Sequence, residues 1–168
     1  HGLDPRDPLR FHLRVLLRVC RAVHFAHTRG VVHLDLKPDN VMVGRHGEVY
    51  LLDWGLAASF RADAESFLPR TADIQAVVGT PGYLSPEQAA GLGTLLGPRT
   101  DIFLLGAVLH RVVTGSVPYT GGTLLQALGQ AFTCAPQVYG PDVPTELAAI
   151  LTKAMMRSFE ERYASAEE

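Results

Sequence analysis

The sequence predicts a mainly helical fold with a few short β-strands, an α+β arrangement, on three observations. Residues 9–27 repeat apolar side chains at helical spacing. The stretch from Asp101 to Thr114 is apolar on nearly every side, which suits a helix buried in a core. The strand-like runs are short and gather between residues 31 and 52. With 168 residues, 47% hydrophobic and 19% charged, the chain has the size of one domain, or one lobe of a larger one, and the balance of a globular protein.

The elements follow in order. Leu9, Leu13, Leu16, Leu17, Cys20, Val23 and then His24 or His27 give an amphipathic helix, with Pro8 near its start and Gly30 past its end. On its inner face His24 and His27 read as core histidines and Cys20 as a small core residue. Val31 to His33 is a strand candidate. Val41 to Val43 and Val49 to Leu52 are two more, joined by the turn sequence GRHG. Residues 57–80 lack periodicity and read as loop. The GLGTLLG run at 91–97 also reads as loop, because it lacks phosphate-loop spacing and follows no strand. After the buried helix, Gly115, Pro118, Gly121 and Gly122 break the chain. Leu124 to Phe132 is a short helix, and Pro141 to Pro144 a linker. Thr145 is placed to cap a last helix from Glu146 to about Met156, with Ala148, Leu151 and Met155 on one face. The chain reads as truncated at both ends.

Composition narrows the function. A net charge of −2 argues against a nucleic-acid binder that works by neutralising phosphates. Cys20 and Cys134 have no CxxC partner, which fits a reducing, cytoplasmic setting without zinc. The longest apolar run, IFLLGAVL, stops at His110 and Arg111, short of the roughly 18 residues of a membrane span.

The chemistry concentrates in VVHLDLKPDN at 31–40 and LLDWG at 51–55. Asn40 and Asp53 offer an amide oxygen and a carboxylate, a hard-oxygen pair suited to Mg²⁺. Lys37 lies two residues from Asp35, so in an extended loop both side chains point the same way. A carboxylate to orient a hydroxyl, an ammonium for a phosphate and a metal pair together describe phosphoryl transfer.

These residues carry a resemblance. HLDLKPDN resembles the catalytic loop of protein kinases, H-R-D-L-K-P-x-N, and DWG resembles D-F-G. GTPGYLSPEQ at 79–88 resembles the end of a kinase activation segment, TDIFLLG at 100–106 the large-lobe helix that starts with a buried aspartate, and EERY at 160–163 the segment carrying a structural arginine. The resemblance covers residue 9 to the end and is similar to bacterial serine/threonine kinases. It implies the large, C-terminal lobe of a protein-kinase-like fold over residues 1–168, with a catalytic loop at 33–40 and an activation segment at 53–88.

It also implies roles. Asp35 would orient the acceptor hydroxyl, Lys37 would contact the transferring phosphate, and Thr80 would bridge the two and seat a protein Ser or Thr. Asn40 and Asp53 would hold Mg²⁺. Met42 would lie beneath the adenine of ATP, with Val41 and Val43 turned into the core. His33, Gly55, Glu87, Asp101 and Arg162 would be structural, with Asp101 capping loop amides and Glu87 paired to Arg162. Trp54, in place of the usual Phe, would pack under the metal site. Leu34 stands where kinases usually carry an arginine that reads an activation-segment phosphate. Leucine cannot do so, and would pack on that segment instead. Ser59, Ser66 and Thr71 are the hydroxyls there open to phosphorylation.

The small-lobe parts of a kinase have no counterpart in the sequence. It holds no G-x-G-x-x-G and no V-A-x-K, and its only lysines are Lys37 and Lys153. The 168 residues alone are therefore expected to be inactive. Two other readings are an inactive pseudokinase or scaffold fragment, and a small-molecule phosphotransferase of the aminoglycoside type, which shares HxDxxxxN followed by DW.

Overall fold

The computed structural model describes residues 6–62 and 67–168. Helix α1 (Pro8–Thr28) opens with the Asp7 carboxylate accepting from Arg10 N–H at 3.1 Å, and Pro8 supplies a first-turn residue that needs no hydrogen-bond partner. Its buried stripe is Val15, Val19, Val23 and His27, one residue every four. Leu13, Leu16 and Cys20 flank this stripe, and burial pushes the Cys20 thiol up to about 11, as for a packed, unreactive side chain. Leu9 and Leu17 are exposed, against expectation. Leu17 lies six residues before Val23, roughly 120° round the helix from the stripe.

Two small antiparallel sheets follow. Strand β1 (Val31–Val32) pairs with β4 (Ala58–Ser59), and β2 (Val41–Val43) pairs with β3 (Val49–Leu51) with Met42 opposite Tyr50. The β2–β3 hairpin closes where Gly44 N–H donates to Glu48 O at 2.8 Å, across the GRHG turn. Val41 packs on the core, whereas Val43, expected to point inward, is exposed. Strand β4 lies in the segment read as loop; two residues are too few for an alternating pattern to register. A 3₁₀ turn at Thr71–Asp73 packs against another at Gly93–Leu95, so the GLGTLLG run is a packed loop.

The body is helical. Helix α2 (Pro86–Ala89) was not expected, being only one turn long; Ser85 and Gln88 form a capping box at its start. Helix α3 (Pro98–Thr114) is buried from Thr100 to His110 and is the central core element. It packs against α1 and α5 (Thr145–Ala154). Gly106 makes the second contact possible: a Cβ there would meet Met155 Cγ at 2.8 Å and Ala154 Cβ at 3.0 Å. Helix α4 (Leu124–Thr133) starts with its own capping box, Thr123 with Gln126. In α5 the cap position belongs to Pro144, so Thr145 is the first helical residue and makes no capping bond, contrary to expectation. The helix ends at Ala154, slightly earlier than predicted. Leu151 and Met155 are buried and Ala148 only half-buried. None of the described helices is long and apolar enough to cross a membrane.

His110 gives the core a pH dependence. It is buried, its Nδ1 lies 3.1 Å from Tyr139 Oη, and burial lowers its pKa from the ordinary value. The unfolded chain therefore binds a proton that the folded chain resists. Stability is lost as pH falls below about 6.5, toward the depressed folded value. Thermal melts of His110→Gln are expected to show a shallower loss between pH 7 and pH 5 than the wild type.

Candidate active site

Asp101 organises the loop that carries the predicted chemistry. It stands in the first turn of α3 and is fully buried. Its Oδ2 accepts from His33 N–H at 2.8 Å and its Oδ1 from Leu34 N–H at 2.9 Å. A carboxylate suits a helix N-terminus, where the peptide dipoles favour negative charge. His27 Nε2 lies 2.8 Å from the same Oδ2. The sequence marked His27 only as a core residue; its link to Asp101 spans 74 positions and has no local signal.

The loop then turns sharply. Leu34 is held at φ 66°, a left-handed conformation that costs a non-glycine residue about 1–2 kcal/mol. The bonds from Asp101 and complete burial of the side chain oppose that cost. His33 Nδ1 accepts from Asp35 N–H at 3.2 Å, so its Nε2 carries the proton that goes to Leu52 O at 3.1 Å. The same ring lies 4.6 Å from the Trp54 ring, and Trp54 Nε1 donates to Leu51 O. His33 thus ties the residue before Asp53 to the amide of Asp35.

Asp35 is buried, and each of its oxygens is engaged. Thr80 Oγ1 donates to Oδ1 at 2.7 Å. Lys37 Nζ lies 2.9 Å from Oδ2 and donates to Thr80 Oγ1 at 2.8 Å, closing a three-residue ring. The Asp35 carboxylate is the main cause that raises the Lys37 pKa above the ordinary lysine value, with Asp39 and Asp53 adding to it, so the ammonium stays charged at neutral pH. Asn40 donates through Nδ2 to Asp35 O at 2.9 Å and Oδ2 at 3.3 Å, which leaves its carbonyl oxygen uncommitted. Leu52 N–H donates to Asn40 O at 2.8 Å, so Asp53 directly follows the residue bonded to Asn40. Asp53 is exposed at φ 56°, with Oδ1 accepting from Gly55 N–H at 3.3 Å. A Cβ on Gly55 would sit 3.1 Å from that oxygen. Met42 is exposed on β2.

The segment from 53 to 88 is fastened at two points. Arg61 donates to Thr28 O at 2.9 Å and Phe60 N–H to Gly30 O at 3.1 Å, which secures its start to the end of α1. At its far end Arg162, fully buried, donates to both oxygens of Glu87 at 2.8 and 3.0 Å. Between these points Leu34 packs with Val32, Ala58 and Leu96, flanked by Phe60, Ile74 and Val78. The expected apolar packing of Leu34 on the segment is therefore what the structure has. Ser59 and Thr71 are buried, which removes them as accessible acceptors in this conformation. Ser66 lies outside the described residues.

The protein kinase domain family matches residues 11–164 of the chain. The chain belongs to the protein kinase family. The chain is 37% identical to the serine/threonine-protein kinase PknD of Protochlamydia amoebophila over 93% of its own length and 17% of that protein's. It is 34% identical to PknB of Mycobacterium tuberculosis over all of its length and 26% of that protein's. A probable serine/threonine-protein kinase of Streptomyces coelicolor is 35% identical over 93% of the chain and 23% of that relative. The sequence is thus of the bacterial serine/threonine type and spans about a sixth to a quarter of the length of these relatives.

Proposed function

We propose that this chain forms the large lobe of a protein kinase that transfers the γ-phosphoryl group of ATP to serine or threonine of a protein. The closed ring of Asp35, Lys37 and Thr80 carries the reading. In it a carboxylate and a cation stay poised around one hydroxyl, which is what an incoming acceptor hydroxyl needs. An acceptor entering beside Thr80 meets the Asp35 carboxylate at Oδ2, which orients it and receives its proton as the bond to phosphorus forms, while Thr80 stays bonded to Oδ1. Lys37 is freed to neutralise a phosphate oxygen. The phosphoryl group moves in line from the β-phosphate oxygen to the acceptor oxygen, and ADP leaves.

The donor set fits a magnesium ion. Asn40 has a free carbonyl oxygen and Asp53 a free carboxylate oxygen, and Mg²⁺ needs few protein ligands because phosphates and water supply the rest. When bound there, the ion would neutralise charge on the nucleotide phosphates. The face formed by exposed Met42, Tyr50, Leu52 and Trp54 is the surface we assign to the adenine side and to a phosphate-covering lobe elsewhere in a longer protein. On this reading the 168 residues alone transfer little phosphate.

The acceptor class is a protein rather than a small molecule. Thr80 lies on the segment that Glu87 and Arg162 anchor, and a platform of that kind serves an extended peptide. Offering full-length protein, Mg-ATP, casein and kanamycin together tests this. Label on casein serine and threonine is expected, and label on kanamycin instead would sink the proposal.

The apolar seat of Leu34 leads to a further expectation. A phosphate-reading arginine contributes a charge-assisted bond of about 1.5–3 kcal/mol, equivalent to tenfold or more in activity. Nothing of that kind holds Leu34. The triple variant S59A/S66A/T71A of the full-length protein should therefore phosphorylate casein without a loss of that size. Abolished activity in a folded triple variant would contradict it.

A further inference from the structure

Gln88 follows Glu87 in α2 and is 1% exposed, yet no step described above uses it. Its side-chain oxygen accepts from Ser85 N–H at 3.1 Å, the helix-capping contact. A glutamate would make that contact equally well. The amide nitrogen does something a glutamate cannot. Nε2 donates to Leu34 O at 2.7 Å and to Val78 O at 3.1 Å, so both of its hydrogens are spent on main-chain carbonyls.

The two carbonyls are informative. Leu34 immediately precedes Asp35, and Val78 lies two residues before Thr80. One amide group therefore holds the backbone on both sides of the Thr80–Asp35 hydrogen bond. The intervening Gly79 adapts to this junction: it stands at φ 111°, and a Cβ on it would lie 2.8 Å from Leu84 Cδ2, 3.0 Å from Gln88 Nε2 and 3.1 Å from Leu34 O. A side chain there would crowd the amide and strain the backbone at this φ. Leu34 itself is in a left-handed conformation, in which the direction of its carbonyl needs a fixed partner.

We propose that Gln88 is a positioning residue for phosphoryl transfer, joining Leu34 O to Val78 O so that Thr80 is held on Asp35. The proposal rests on the phosphotransfer reading above, and it predicts a split that a stability defect alone does not produce. In the full-length protein, Gln88→Met is expected to lower kcat for casein by about tenfold to a hundredfold, as a small misplacement near the reacting atoms does. The KM for Mg-ATP should stay unchanged, because Asn40 and Asp53 are untouched. Since Gln88 acts through Thr80, adding Gln88→Met to Thr80→Ala should cost nothing more. Wild-type kcat in folded Gln88→Met, or losses that multiply in the double variant, would overturn the proposal. Should Gln88→Met fail to fold, NMR of the wild type decides: two slowly exchanging Gln88 side-chain amide protons support it, and fast exchange refutes it. Should the wild-type protein transfer no phosphate, the functional reading falls separately. Gln88 is then judged by a crystal structure of Gln88→Met, where an open Thr80–Asp35 contact supports the proposal and a contact kept at 2.7 Å contradicts it.

Discussion

Asp35→Asn in the full-length protein is expected to lower phosphoryl transfer to casein by about 10²–10⁴, the usual contribution of a placed general base. The side chain keeps its size, so the loop should survive: Asp101 still holds the amides of His33 and Leu34, and Asn40 still reaches Asp35 O. What changes is the charge. The amide can accept from Thr80 Oγ1 through its one oxygen, but it turns an NH₂ toward the place where Lys37 Nζ now lies 2.9 Å from Oδ2. The ring opens on the lysine side, and no carboxylate remains to take the acceptor's proton. Mg-ATP binding should change little, since Asn40 and Asp53 keep their free oxygens. Steady-state kinetics with varied ATP separate the two: a fall in kcat with KM for ATP unchanged is expected.

The second large effect concerns stability. Arg162 spends five donors on five acceptors: Nε on Met156 O, Nη1 on Glu87 Oε1 and Arg99 O, Nη2 on Glu87 Oε2 and Arg157 O. Its guanidinium also lies 4.8 Å from the centre of the Phe103 ring. Both side chains of the pair are almost wholly removed from water. Arg162→Met therefore strands a buried carboxylate and three carbonyls, at a cost of about 3–5 kcal/mol. For a domain of this size that is a fall in Tm of roughly 6–20 °C, measured by calorimetry on the domain's own transition. Arg162→Lys should rescue only part, because an ammonium has three donors and no planar fork. The double variant Glu87→Leu/Arg162→Met should be more stable than Arg162→Met, since no unpaired charge remains.

The two effects show which parts of the protein could be read in one dimension. Helix α1 was legible because its burial repeats every four residues, α3 because its apolar run is nearly unbroken, and the β2–β3 hairpin because GRHG marks its turn. The residues of the Asp35 ring were legible because two of the three sit within one loop and the third in a recognisable block. Elements of a single turn or pair, α2 and β4, carry too few residues for any period to show. Leu17 and Thr145 were misplaced for local reasons: an apolar residue can fall outside a stripe, and Pro144 already fills the cap position. His27 and Gln88 belong to a third kind. Each looks like ordinary core filling in sequence, and each gains its meaning from partners tens of residues away, Asp101 for one and Leu34 for the other.

The Leu34 side chain joins the 33–40 loop to the 53–88 segment through apolar contact, while the charged and polar groups around it stay connected to one another. On the proposed reading, these connections serve phosphoryl transfer. The most direct measurement is γ-phosphate transfer from labelled Mg-ATP to casein by the full-length wild-type protein, followed by phosphoamino-acid analysis. Phosphoserine or phosphothreonine that disappears in Asp35→Asn is the result predicted here. Tight Mg-ATP binding with no transfer to any serine or threonine would contradict it and leave a scaffold in the shape of a kinase.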